Sequence, residues 1–263
     1  MQVEHTKIVI LKAKKSYGQH FLKNPGIASK IASSLSGNFT NVLEIGPGTG
    51  NLTQFLIHKG YKLIAVEADQ DMADILYQKF SAEQITILKE DFLQTNLSSI
   101  FNGESFAIIG NFPYNISSQI VFKILDNHHL VPEMVGMFQK EVAQRIVSPP
   151  GNKDYGILSV LTQSLYSGKY LFSVDKNEFS PPPKIQSGVI RLTKKSELKN
   201  YDRQLFTKLV KTSFGQRRKM LRNTLKNLLD PQFLDDPFFT QRPEQLSVDD
   251  FINLTLKIQP HVT

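Results

Sequence analysis

From residue 40 the chain repeats one pattern: a short run of β-branched and other apolar residues, then an amphipathic stretch with apolar residues at helical spacing. Such alternation is the signature of successive βα units, because a strand buried on both faces reads as a continuous apolar run and its crossover helix as an apolar stripe. Candidate strands are residues 41–45, 62–67, 85–88, 106–110, 134–138, 170–174 and 188–192; candidate helices are 52–59, 70–80, 117–125, 140–147 and 157–166. The expected fold is α/β, an open, doubly wound parallel sheet of seven strands. Ser180-Pro181-Pro182-Pro183 fits neither helix nor central strand and reads as a stiff extended connector into the last strand. After Thr193 only helical spacing remains. Phe206, Leu209 and Val210 form one apolar stripe, Leu221, Leu225, Leu228 and Leu229 a second, and Val248, Phe251, Ile252 and Thr255 a third, opened by a Ser247/Asp250 capping box. The pattern predicts a large unit over residues 1–194 and a small all-helical unit over 195–263, with no internal repeat.

Charge is unevenly distributed along this frame. The chain carries 31 Lys+Arg against 24 Asp+Glu, a net +7. Residues 1–23 contribute +4, residues 24–194 contribute −1 and residues 195–263 contribute +4. Residues 203–226 hold eight Lys/Arg and no acid, a run that a polyanion would favour by counterion release and that a solvated helix face would equally tolerate. A 40% apolar, 21% charged composition excludes a disordered or collagen-like chain. Zero cysteines exclude disulfides, thiolate metal sites and cysteine nucleophiles together. His5, His58, His128, His129 and His261 show no ligand spacing, so no metal is expected. The apolar run Ile8-Val9-Ile10-Leu11 is too short for a signal peptide or a membrane span, and a cytoplasmic protein without membrane contact is expected.

Glu44-Ile45-Gly46-Pro47-Gly48-Thr49-Gly50 follows the first strand and opens a helix, so bare backbone comes close to whatever sits at the strand's carboxyl end. A dinucleotide fingerprint requires glycine three residues after Gly48, where this chain has Asn51, and no Lys-Ser/Thr follows to make a P-loop. A tight turn alone explains the glycines about as well. Glu67, however, ends the second strand about 20 residues past the loop, the distance at which a carboxylate meets a ribose diol. Glu90-Asp91-Phe92 ends the third, where an acid can accept from an adenine amino group. Singly, each acid could be a loop residue or a helix cap; together they line one sheet edge and point to an adenosine-containing cofactor.

The fourth strand ends in Gly110-Asn111-Phe112-Pro113-Tyr114-Asn115. An exocyclic amine such as adenine N6 is a poor nucleophile because its lone pair is delocalised into the ring. The Asn111 side-chain oxygen and an adjacent backbone carbonyl can accept its two hydrogens, favouring charge that develops on nitrogen as it attacks. Pro113 holds the turn, and Tyr114 offers a face for an unstacked base. A turn with a buried tyrosine would carry the same letters.

The loop Glu44–Gly50, Glu67, Asp91 and Asn111-Phe112-Pro113-Tyr114 resemble the motifs of class I S-adenosylmethionine-dependent amino methyltransferases, whose sheet is Rossmann-like. Lys14-Lys15-Ser16-Tyr17-Gly18-Gln19-His20-Phe21-Leu22, Gln139-Lys140-Glu141-Val142, Phe179-Ser180-Pro181-Pro182-Pro183-Lys184-Ile185 with Ser187, and Phe214-Gly215-Gln216-Arg217-Arg218-Lys219 are similar to segments of one family in that class, the ribosomal RNA adenine N6,N6-dimethyltransferases. Within it the likeness is strongest to members acting on small-subunit RNA.

The resemblance implies S-adenosylmethionine as cofactor, with His20 and Leu22 closing the site, Gly46 and Gly48 against the methionine part, Glu67 on the ribose, Asp91 on the adenine and Asn111 touching both cofactor and target amine. It implies that Tyr114 and Phe179 stack on the target base. From the charge at the two ends of the chain, Lys14, Lys15, Arg217, Arg218, Lys219 and Arg222 are expected to hold RNA of a pre-ribosomal small subunit, and a monomer is expected. No general base is assigned to Glu67 or Asp91. Phe112 stands where family members carry Leu, Ile or Pro, and His20 where some carry Asn. Two other readings remain open: a large-subunit adenine methyltransferase of the antibiotic-resistance type, which would share every catalytic motif, and a non-catalytic RNA-binding assembly factor on the same fold.

Overall fold

The structure, a computed structural model, describes residues 18–259; Lys14, Lys15, the apolar run at residues 8–11, His5 and His261 lie outside them. The strands are β1 (Phe21–Leu22), β2 (Asn41–Ile45), β3 (Lys62–Val66), β4 (Thr86–Leu88), β5 (Ala107–Asn111), β6 (Glu133–Gln139), β7 (Tyr166–Val174), β8 (Phe179–Ser180) and β9 (Ser187–Lys194). Seven of them make one sheet in the order β4-β3-β2-β5-β6-β9-β7, while β1 and β8 form a separate antiparallel ribbon. The chain leaves β2 for β3 and β4, then returns to β5 on the other side of β2. That reversal is the switch point beside which open α/β sheets bind ligands, outside the carboxyl ends of their strands.

Pairs from β4 to β6 are parallel, but β9 runs antiparallel to both β6 and β7. The sheet is therefore not parallel throughout, as the βα pattern predicts. A parallel return normally needs a helical crossover. Between β7 and β9 the chain has only the 3-10 turn Lys176–Glu178, β8 and the proline segment, so β9 comes back alongside β7 in the opposite direction.

Alternate strand residues build two cores, one on each face. Leu43, Ile64, Ile108, Met134 and Ile190 join one; Val42, Leu63, Ala65, Ala107, Ile109, Val135 and Val189 join the other. The first also holds Tyr155 and Leu158 together with Phe206, Leu209, Leu221, Phe251 and Ile258. Residues 195–258 thus add no strand and share a core with the sheet.

Three helices differ from the pattern. The expected 52–59 helix is only Thr53–Leu56, the 157–166 helix stops at Gln163 because Tyr166 begins β7, and the 221–229 stripe is a single helical turn, Leu221–Thr224. Helix Pro25–Ala32 was not anticipated. Asn24 Oδ1 accepts from the Gly26 and Ile27 N–H groups at 2.9 and 3.3 Å, and Pro25 follows it, an N-cap and N1 pair that the sequence does display. Ser247 and Asp250 form the expected capping box ahead of helix Val248–Ile258.

Candidate active site

Directly after β2 the backbone turns through Gly46 (φ +64) and Gly48 (φ +56), conformations that a β-carbon would strain. The Gly46 N–H donates to the Val66 carbonyl at 2.9 Å, tying the loop to the end of β3. Here a cavity of about 520 Å³ opens over the carboxyl ends of the parallel strands. Its walls include His20, Leu22, Gly46, Gly48, Glu67, Asp91, Asn111, Phe112, Pro113 and Tyr114. Every candidate cofactor-binding residue lies there, as does every candidate catalytic residue except Phe179.

Glu67 is 7% exposed. Its Oε2 accepts from the Gly48 N–H at 3.0 Å and its Oε1 from the Asp69 N–H at 2.9 Å, while burial pushes its pKa above the usual carboxylate range. A carboxylate offers about four acceptor sites, so after these two bonds capacity remains for a ligand diol. Asp91 is exposed and accepts the Leu93 N–H at 2.9 Å through Oδ1. Lys123, from helix Ser117–Asp126, donates to the Leu93 carbonyl at 2.8 Å and holds that loop against the wall.

One cavity acid was not anticipated. Glu44 sits on β2 with 1% exposure and accepts from Thr53 Oγ1 at 2.7 Å. Burial pushes its pKa up to about 8, against the opposing Thr53 bond and with help from the Glu67 charge. The signal was available in the sequence: an acid within the apolar run Val42-Leu43-Glu44-Ile45, just before a glycine turn.

At the end of β5, Asn111 Nδ2 donates to the His20 carbonyl at 3.0 Å. With the amide nitrogen so engaged, Oδ1 accepts no bond among the described residues and remains an acceptor at the cavity wall. The segment carrying His20 is held at several points. Asn51 Nδ2 donates to the Leu22 carbonyl at 2.6 Å, Gln19 donates to Asp69 at 2.8 Å, and His20 Nδ1 lies 2.8 Å from the Pro181 carbonyl. Asn51, the residue that breaks the dinucleotide spacing, is therefore a tie for this segment. The His20 ring stacks on Tyr114, centroids 5.5 Å apart.

Phe112 is buried and meets Phe138 edge-on. Its ring occupies a notch made by Gly110 and Gly136, which face each other across β5 and β6. A β-carbon would come within 2.7 Å of the ring at Gly110 and 2.4 Å at Gly136. The glycine pair gives Phe112 its room, and neither glycine was singled out in the sequence.

Three expected site residues are less open than the resemblance and the charge pattern imply. Phe179 is 1% exposed, packs in the core opposite Leu22 of β1 and does not line the cavity; its ring supports the β1–β8 ribbon. Arg217 donates to the carbonyls of Asn152 (2.9 Å) and Lys153 and lies 3.9 Å from Glu244, so its part-exposed guanidinium is already engaged within the protein. Arg222 is half-buried, with Nε lacking a hydrogen-bond partner among the described residues. Arg218 and Lys219 are exposed. Among the described residues no cluster of His, Cys, Asp and Glu could hold a metal ion.

A family model described as Ribosomal RNA adenine dimethylase matches residues 10–259. A protein of Porphyromonas gingivalis named Ribosomal RNA small subunit methyltransferase A is 52% identical over 255 residues, 95% of this chain and 98% of its own. One of the same name from Flavobacterium johnsoniae is 50% identical over 252 residues, 95% of this chain and 97% of its own. Among solved structures, a dimethyladenosine transferase from Plasmodium falciparum superposes with a TM-score of 0.78 at 27% identity, covering 92% of this chain and 98% of that one.

Proposed function

The chain belongs to the ribosomal RNA adenine dimethylase family, and from that premise we propose that it transfers methyl groups from S-adenosylmethionine to N6 of two adjacent adenines in small-subunit ribosomal RNA. The observation that carries this reading is the convergence of Gly46, Gly48, Glu67, Asp91, Asn111 and Tyr114, from the ends of four neighbouring strands, on one cavity.

The cavity fits the cofactor: two glycines bare their backbone at one end, a buried acid with spare acceptor capacity follows, and an exposed acid lies beyond it. Gly46 and Gly48 would face the methionine part, Glu67 the ribose hydroxyls and Asp91 the adenine, with His20 and Leu22 closing over it. When bound, S-adenosylmethionine supplies an electrophilic methyl group on a good leaving group. The protein's own task is alignment and charge stabilisation. Asn111 Oδ1 and the Phe112 carbonyl accept the hydrogens of the target amine, so that positive charge developing on nitrogen meets fixed acceptors. The Pro113 ring holds that turn, and Tyr114 supports the base.

The substrate in this reading is RNA of a pre-ribosomal small subunit, met by a cytoplasmic monomer. No helix among the described residues is long and apolar enough to cross a membrane. Residues 1–194 would form the catalytic unit, with 1–23 as a basic arm, and 195–263 the RNA-binding unit. Exposed Arg218 and Lys219 would meet phosphate, with Lys14 and Lys15 contributing from the arm.

The test is to incubate the protein with methyl-labelled cofactor and undermethylated small or large ribosomal subunits, then identify the labelled nucleoside. N6,N6-dimethyladenosine in small-subunit RNA is expected. Label confined to large-subunit RNA, or no label in either, would overturn the reading.

A further inference from the structure

Tyr114 lines the cavity, half-buried, and is held at three points. Its backbone carbonyl accepts from Ser117 Oγ at 3.1 Å. One face of its ring meets His20, whose Nδ1 is bonded to the Pro181 carbonyl. Its hydroxyl, at the far end of the ring, hydrogen-bonds to Ser187 Oγ. Ser187 is completely buried at the first position of β9, where it is paired with Gln139 of β6 on one side and Val174 of β7 on the other. It is not on the cavity wall.

A hydroxyl fixed between two strands has little freedom of its own, so it makes a rigid anchor for a ring reaching it from the next loop. Tyrosine rings turn about two side-chain bonds, and a support for an unstacked base works only if those bonds are fixed before the base arrives. The Ser117 bond and the His20 stack set the base and one face of the side chain; the Ser187 bond sets its tip.

We infer that Ser187 is a positioning residue for methyl transfer: through the Tyr114 hydroxyl it fixes the ring against which the target adenine lies, without touching substrate itself. The inference rests on the proposed function and adds to it a residue outside the cavity.

The experiment compares Ser187→Ala, Tyr114→Phe and the double variant with the wild type. Single-turnover methyl transfer to undermethylated small subunits gives the rate, and calorimetry with S-adenosylmethionine reports whether each variant keeps an intact site. Each single variant is expected to slow transfer about three- to tenfold, the equivalent of one net hydrogen bond, and the double variant no further, because either change removes the same bond. Cofactor affinity should stay within about twofold of wild type, since Ser187 does not line the cavity and the Tyr114 ring keeps its His20 stack and Ser117 bond without the hydroxyl. Tyr114→Phe removes only a hydroxyl from a half-buried ring, so it tests the bond even if Ser187→Ala disturbs β9. Wild-type rates in both single variants, losses that multiply in the double variant, or slower transfer that follows lost cofactor affinity would each overturn the inference. A wild-type protein that makes no N6,N6-dimethyladenosine would overturn the proposed function, and the inference with it.

Discussion

The cavity and the basic C-terminal segment both carry charge, but in opposite physical settings. In the cavity two carboxyl groups are buried and each has a named partner: Glu67 with two N–H groups, Glu44 with Thr53. Along residues 203–226 there are eight cations, of which Lys208, Lys211, Arg218, Lys219 and Lys226 are exposed. Buried charges respond to protonation because desolvation penalises the ionised form. Exposed ones respond to salt because solvent and counterions screen them. The cavity is accordingly a pH-sensitive device and the basic segment a salt-sensitive one, and a net-charge count that treats the two alike misreads both.

Six variants would break or sharpen that contrast, and the largest effect belongs to Glu44. Its pKa rises from 4.5 unfolded to about 8 folded, so below pH 4.5 it is protonated in both states and costs nothing. Between those values the folded state holds a proton that the unfolded chain has lost, and stability falls by up to about 1.4 kcal/mol per pH unit as pH rises. Denaturant titrations from pH 5 to pH 8 should therefore show wild type losing stability relative to Glu44→Gln. Parallel pH profiles for the two would mean that Glu44 is ionised in the fold.

Next in size is Asn111→Ala. It should lower the single-turnover methylation rate about 10² to 10³-fold, the range found when a preorganised partner for developing charge is removed. RNA affinity by filter binding should barely move. Glu67→Ala and Asp91→Ala come third. Each should weaken cofactor binding by about 1 to 3 kcal/mol in calorimetry, with Glu67 the larger because its removal also frees the Gly48 and Asp69 N–H groups. Equal affinities in wild type and both variants would remove the acids from the cofactor site.

The smallest effects divide the basic segment itself. Arg217→Ala should lower stability by about 1 to 2 kcal/mol, because two carbonyls lose a charged donor, and should leave the salt dependence of RNA binding almost unchanged. Neutralising Arg218 and Lys219 should do the reverse, flattening that dependence by about 0.7 to 0.9 for each phosphate no longer neutralised, while the denaturant midpoint stays put. A salt slope changed equally by all three would mean that Arg217 faces RNA after all.

The same contrast governs what could be read before the structure. The seven sheet strands, Glu67, Asp91 and the Asn111 turn were legible because each is tied to a position in a βα unit, and that position fixes where its side chain goes. Antiparallel β9 was not, since strand direction depends on a connection whose geometry no local pattern states. The burial of Phe179 and the internal bonds of Arg217 were not legible for a related reason: residue type says what a ring or a guanidinium can bind, and only packing says which partner reaches it first. The Gly110/Gly136 notch escaped because it is a pair across two strands 26 residues apart in sequence, each member ordinary when taken alone.

The central claim is that one cavity places cofactor and target amine on either side of Asn111. A crystal structure of the protein with S-adenosylhomocysteine and a short RNA containing the target adenines tests it most directly. The account predicts homocysteine beside Gly46 and Gly48, the ribose on Glu67, and a flipped adenine against Tyr114 with N6 about 3 Å from Asn111 Oδ1. An adenine held elsewhere, or Asn111 Oδ1 turned to a protein donor with the base in place, would contradict it.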